Sequence, residues 1–255
     1  MLKDHLTHSI RKNLFHEPTK GQEELINGLS EFIANKDEDL VFLIRGFAGT
    51  GKTSLIASLV KTLKEMKNKT ILMAPTGRAA KVLAGYSDHP AMTIHKKIYR
   101  QRKISDGFAE FSLDKNLHRD TVFIVDEASM ISNQSLELSI FGSGRLLDDL
   151  ITYVYSGIGC KIILVGDEAQ LPPVGLDSSE ALDPKLLEGY GFPVKQGKLS
   201  EVVRQALSSG ILNNATLVRE RLDSNELGFP GLVIDDSIDV VRVSGENLIE
   251  SIEQS

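Results

Sequence analysis

The chain has 255 residues, 41% hydrophobic and 25% charged, enough for one large α/β domain or for one domain and part of another. No apolar run approaches the roughly 20 residues that span a bilayer, and the polar start Met1–Arg11 has no signal-peptide core, so no membrane partner is expected. The net charge of −6 speaks against a uniformly basic nucleic-acid binder, yet residues 220–255 alone carry −7 and leave +1 for the rest.

In chain order, a first amphipathic helix is predicted over Pro18–Ala34, with Pro18 near its first turn. The apolar run Leu40–Ile44 then reads as a buried parallel strand. It leads into Gly46–Thr53, the pattern G-x-x-x-x-G-K-[ST] in its expected place between a strand and a helix, Lys52–Met66. This loop sets the ligand class. Gly49 and Gly51, on either side of Thr50, let backbone N–H groups close around phosphate oxygens. Lys52 reaches the β/γ-phosphates, and the Thr53 hydroxyl can hold Mg²⁺. The helix start adds its positive dipole end.

A second strand, Thr70–Ala74, and a helix, Gly77–Ala84, follow. Lys96–Lys103 carries five cations and no acid. Asp106-Gly107 is a hairpin turn signal, and partial alternation around it predicts a β-hairpin over 99–113, or else a surface loop. The third strand, Thr121–Val125, feeds into Asp126-Glu127. A carboxylate pair at a strand end downstream of a phosphate loop completes an NTPase site: Asp126 holds Mg²⁺ and Glu127 orients and deprotonates the attacking water.

A helix is predicted over Gln134–Tyr155, interrupted by Phe141-Gly-Ser-Gly144, to which no function is assigned. Cys160 opens the fourth strand, Cys160–Val165. As the lone cysteine it excludes an internal disulfide, is read as packing rather than chemistry, and suits a reducing cytoplasm. The six histidines lack metal-site spacing. Gly166–Val174 places Gln170 where a γ-phosphate or attacking water can be sensed. Arg204, after a probable fifth strand at Lys198-Leu199, can stabilise transition-state charge. A helix at Ile211–Arg221, a turn-rich stretch, a strand at Asp239–Val243 and a helix at Glu246–Glu253 are expected to finish the chain. The alternation of strands and helices predicts a doubly wound parallel sheet with helices on both faces, ligands lying at the carboxyl ends of its strands.

The ordered set of segments resembles the RecD-like branch of superfamily-one DNA helicases, which includes Dda-type phage helicases. The resemblance covers 15–205. Phe15–Gln22 is similar to the adenine-reading Q motif, Gly46–Thr53 to motif I, and Ala74–Ala80 to motif Ia. Thr93–His95 is similar to the DNA-contacting motif that follows, Asp126–Met130 to motif II, Gly166–Val174 to motif III and Leu199–Gln205 to motif IV. It implies a RecA-like P-loop NTPase fold. It also implies that Gln22 reads adenine, making ATP the fuel, and that Thr76, Arg78, Thr93 and His95 contact single-stranded DNA. The hairpin takes the place of the family's strand-separating pin, so that Phe108 or Phe111 either stacks on the terminal base pair of a duplex fork or packs on its own domain. The basic run at the hairpin base is expected to track phosphates.

Nothing like motifs V and VI is found. The expectation is therefore one RecA-like ATPase domain over 1–221, with 222–255 a linker or the start of a second. The implied function is a 5′-to-3′ ATP-dependent helicase motor, weak or inactive without its second domain. A stand-alone ATP-dependent module binding DNA, or a partner through the acidic stretch, is the alternative. A P-loop kinase or signalling NTPase indifferent to DNA is a third reading.

Overall fold

The computed structural model describes residues 2–35, 40–102, 110–134, 140–201 and 209–224, together with 203, 228, 231–234, 239–240, 243 and 245. The chain falls into two compact units, residues 1–201 and 202–255.

The first unit is built on a six-stranded sheet. Its strands are β1 (Val41–Gly46), β2 (Lys69–Ala74), β3 (Ala91–Thr93), β6 (Thr121–Val125), β7 (Lys161–Gly166) and β8 (Val194–Leu199), in the order β3-β2-β6-β7-β1-β8. Every pairing is parallel. The central strands are apolar throughout because each serves two cores. Val41 and Leu43, Phe123 and Val125, and Ile162 and Leu164 point to one face. Phe42 and Ile44, Val122 and Ile124, and Ile163 and Val165 point to the other.

Helices cover both faces. The helices α1 (Leu2–Asn13), α2 (Lys20–Ala34), α3 (Lys52–Glu65) and α4 (Gly77–Ser87) share one core. The helices α5 (Ile94–Ile98), α6 (Leu146–Tyr155) and α7 (Pro184–Glu188) share the other. Among the described residues, no helix is long and apolar enough to cross a membrane.

The doubly wound parallel sheet is as expected, and the structure adds to it. Helices α1, α5 and α7 and strand β3 were not anticipated. Strand β3 has three half-buried residues and too little apolar signal to read. Helix α1 buries only two apolar side chains, Leu6 and Ile10, both fully, and its end is tied to α3 by Asn13 donating to Thr62 Oγ1 and Glu65 Oε2, both at 3.1 Å.

The fifth strand is six residues long rather than two. The helix predicted over Gln134–Tyr155 begins only at Leu146, because Gly142 and Gly144 turn the chain with φ of 50° and 79°. The hairpin stands at its base: β4 (Tyr99–Gln101) pairs antiparallel with β5 (Phe111–Leu113). Its Asp106-Gly107 turn and Phe108 lie outside the described residues.

In the second unit, α8 (Gly210–Asp223) matches the predicted helix. Its first turn is held by Asp239, which accepts from Ser209 Oγ and Gly210 N. Asp239 is in a turn, and Val240 and Val243 are in no strand, so the strand expected at Asp239–Val243 does not form at those positions. The helix expected at Glu246–Glu253, and Arg204, fall outside the described residues.

Candidate nucleotide and nucleic-acid site

The phosphate loop leaves the carboxyl end of β1 and enters α3 through Gly51, whose φ of 83° is one that side-chain-bearing residues avoid; Gly49 is similar at 77°. Thr50 is buried and closes the turn, its hydroxyl donating to Phe47 O at 2.7 Å. Thr53 lies on the first turn of α3.

Lys52 is tucked in. Its Nζ donates to Gly46 O at 2.6 Å and Phe47 O at 2.9 Å, and sits 3.4 Å from Asp167 Oδ2. The two side chains are only 14% and 8% exposed, so this pair is shielded from water. Asp167 is a partner that motif reading did not single out. Beside it, Glu168 bridges Arg45 and Lys198, each at 2.8 Å.

Gln22 is fully buried. Its Oε1 accepts from Thr19 N and its Nε2 donates to Thr50 O, both at 3.1 Å, while Thr19 Oγ1 caps the helix in return. The amide therefore ties the start of α2 to the phosphate loop.

Across the sheet, Asp126 leaves β6, with its N–H held by Met73 O at 3.0 Å. Burial pushes its carboxyl up to about 6, and the neighbouring Glu127 adds to the rise. The Glu127 N–H and the Lys52 ammonium act the other way. Glu127 takes a left-handed φ of 55° and starts a 3₁₀ turn, Ala128–Met130. That turn carries Ser129, whose hydroxyl donates to Gln170 Oε1 at 2.7 Å, binding the segment after β6 to the segment after β7.

The donor set fits ATP with a divalent cation. A buried carboxylate held above its ordinary pKa is what a cation would stabilise, and Lys52, the left-handed glycines and the Thr53 hydroxyl suit phosphates.

The other predicted residues lie along the neighbouring strand ends. Ala74 and Thr93 are register partners at the ends of β2 and β3. Thr76 caps α4 by accepting from Ala79 N at 3.2 Å, and Thr93 caps α5 by accepting from Lys96 N at 3.2 Å. Arg78 is exposed on the first turn of α4. His95 is half-buried, and burial lowers its pKa. Its ring lies 5.0 Å from Phe141 and 5.7 Å from Tyr99.

Phe141, from the stretch with no assigned function, stacks on Phe111 at 4.7 Å. The main chain joins there too: Phe111 N donates to Ile140 O and Gly142 N to Phe111 O. Asp149, buried on α6, accepts from Tyr99 Oη at 2.7 Å and Ser143 N at 2.9 Å. The stretch is thus the anchor of the hairpin foot. The compact turn at Gly142-Ser143-Gly144 was its only sequence signal.

Comparison with known proteins gives the family. The family AAA_30, described as an AAA domain, matches residues 19–227. The ATP-dependent RecD2 DNA helicase of Deinococcus radiodurans is 29% identical over 192 residues, 74% of this chain and 23% of that protein. The ATP-dependent DNA helicase dda of Enterobacteria phage T4 is 29% identical over 208 residues, 80% of this chain and 43% of that protein. The chain thus spans less than half the length of these relatives. A solved Pif1 helicase from Bacteroides, in complex with ADP-AlF3 and ssDNA, aligns at a TM-score of 0.47 and 17% identity over 94% of this chain and 56% of its own. The match over residues 19–227 takes in the phosphate loop, the carboxylate pair and the Ser129–Gln170 link together, and the chain belongs to the AAA_30 family of AAA domains, among relatives of the RecD- and Pif1-like helicases of superfamily one.

Proposed function

We propose that this chain is the ATP-binding motor domain of a DNA helicase. The observation that carries the reading is the gathering of Lys52, Asp126, Glu127 and Gln170 at one sheet edge, with the capped helix starts at Thr76 and Thr93 beside them. In this reading Gly49, Thr50, Gly51 and Lys52 hold the phosphates, while Thr53 and Asp126 hold Mg²⁺. When bound, the cation would neutralise charge on the phosphates held by these residues. Glu127 takes the proton of the attacking water, and Gln170 passes the state of the site to Ser129 and the segment after β6. Thr76, Arg78, Thr93 and His95 contact a single strand, and the basic run at the hairpin foot follows its phosphates. The hairpin meets a duplex fork, with 5′-to-3′ polarity, and residues 222–255 lead towards a second motor domain or offer an acidic surface to a partner.

Alone, the chain is expected to bind ATP and single-stranded DNA with weak turnover. In the full-length protein, single strands stimulate hydrolysis. Titration of a fluorescent ATP analogue and a labelled oligothymidylate into the chain, at rising salt, tests the binding. Glu127→Gln in the full-length protein tests the chemistry: nucleotide affinity holds and turnover is lost. Turnover equal to the parent contradicts the role of Glu127, and hydrolysis indifferent to DNA favours a signalling NTPase.

A further inference from the structure

A cavity of about 410 Å³ lies at the amino ends of β2 and β6, where Lys69 and Thr121 are register partners. This is the end of the sheet opposite the phosphate loop, one strand length away, roughly 17 Å at about 3.3 Å per residue. Lys64, Lys67, Lys69, His89 and His118 line it, and among the described residues no acid does. We propose that this basic cavity is a second phosphate-binding surface, which takes the backbone of a nucleic-acid strand away from the nucleotide edge. The proposal rests on the nucleic-acid reading above and adds a surface which that reading does not use.

Three observations favour a run of phosphates. The first is that the charge is poorly compensated. Among the described residues, Lys64 meets a carboxylate, Asp88 at 3.6 Å, whereas Lys67 and Lys69 meet none. The Lys64–Asp88 pair is itself exposed, at 61% and 100%, so little is lost when it is exchanged.

The second is that like charges are crowded together. Lys97 Nζ, on α5, donates to His118 Nε2 at 2.7 Å, which leaves the proton of that imidazole on its other nitrogen, free to donate to an anion. The His118 ring is held in place, edge-on to Phe123 at 5.7 Å, and its main-chain N–H donates to Asn116 Oδ1 at 3.0 Å. Burial lowers the pKa of both Lys97 and His118. Arg100 lowers Lys97 further while Asp114 acts the other way, and Lys97 and Lys69 lower His118 further. A bound anion would relieve that repulsion.

The third is that the cations form a line. Lys69 acts on His118, His118 touches Lys97, and Lys97 feels Arg100 on β4, so positive charge runs from the cavity to the hairpin foot. A line of cations fits repeating phosphates, whereas a single phosphate would use one end of it. Cations at the end of α3 also answer the helix dipole, which accounts for Lys64 and Lys67. It does not account for Lys69, His118 or the half-buried Lys97. Lys67 moreover takes a left-handed φ of 59°, where glycine is the usual helix-ending residue.

Lysine acylation of the parent chain, read by mass spectrometry, tests the surface without any variant. An oligothymidylate long enough to reach both ends of the sheet should protect Lys67 and Lys69. A non-hydrolysable ATP analogue should not, and Lys3 and Lys185, exposed elsewhere, should react as before. Lys67→Ala with Lys69→Ala should then lower the slope of log affinity against log salt by about 1.4, at about 0.7 per phosphate contact on a single strand. The equal charge loss of Lys3→Ala with Lys185→Ala should leave that slope unchanged. A strand that binds with Lys67 and Lys69 still reactive, or a control pair that lowers the slope as much, overturns the surface and leaves the DNA reading intact. Protection by inorganic pyrophosphate but not by the strand makes the cavity a small-phosphate site and overturns the nucleic-acid assignment. Failure to bind any strand overturns the underlying reading as well.

Discussion

The phosphate-loop edge and the hairpin foot are both pre-arranged, by opposite means. At the loop, charges hold one another: Lys52 faces Asp167, and Glu168 links Arg45 to Lys198. At the foot, four rings pack together and a single buried carboxylate, Asp149, ties them to α6. A ligand reaching the loop must compete for Lys52 with groups that already satisfy it. The foot has no such ionic pair to open and is held by ring packing. The loop therefore suits a highly charged ligand with strong contacts to offer in exchange, while the foot is a packed anchor for the hairpin.

Three substitutions probe that contrast. Lys52→Ala has the largest expected effect, a loss of nucleotide affinity on the order of 1,000-fold, from two or more charge-assisted bonds to phosphate. It also leaves Asp167 buried without its cation, so Lys52→Ala with Asp167→Asn should recover thermal stability but not affinity. A fluorescent-nucleotide titration beside a thermal melt separates the two, and an affinity loss under tenfold would show that the loop backbone alone holds the phosphates.

Asp149→Ala comes next. It strands the Tyr99 hydroxyl and the Ser143 N–H, and is expected to cost about 3 kcal/mol in urea unfolding while nucleotide affinity stays unchanged. An unchanged midpoint would mean that ring packing suffices at the foot.

Gln22→Ala is the smallest, about 1–2 kcal/mol, from a lost capping-box partner and the freed Thr50 carbonyl. If Gln22 acts by tying α2 to the loop, affinity for ATP and for GTP analogues falls together. A selective loss for ATP points instead to the adenine reading.

Much of the central sheet was readable because its strands carry apolar residues on both faces, as at Val41–Ile44 and Ile162–Val165. Strand β3 was not: its three residues are only half-buried, and its place at the sheet edge rests on pairing with β2. Helix α1 was also missed, since two buried apolar side chains in twelve residues make a faint stripe. The overlong helix before Tyr155 shows the same limit. The order of residues within Phe141-Gly-Ser-Gly144 signals a turn, but its partners lie on the hairpin and on α6.

Site residues divide along similar lines. Gly49–Thr53 and Asp126-Glu127 could be recognised because their geometry is made by the local backbone, a strand running into a tight turn. The sequence thus specified a phosphate ligand, a carboxylate pair to accompany it and a doubly wound sheet to carry both. It did not reveal that Lys52 rests against Asp167, 115 residues away, that Gln22 grips the loop, or that Tyr99 and Ser143 meet at Asp149. Those contacts depend on the strand order β3-β2-β6-β7-β1-β8, which brings distant strand ends side by side. Local patterns record what each segment prefers to be; the packing of the sheet decides which segments become neighbours.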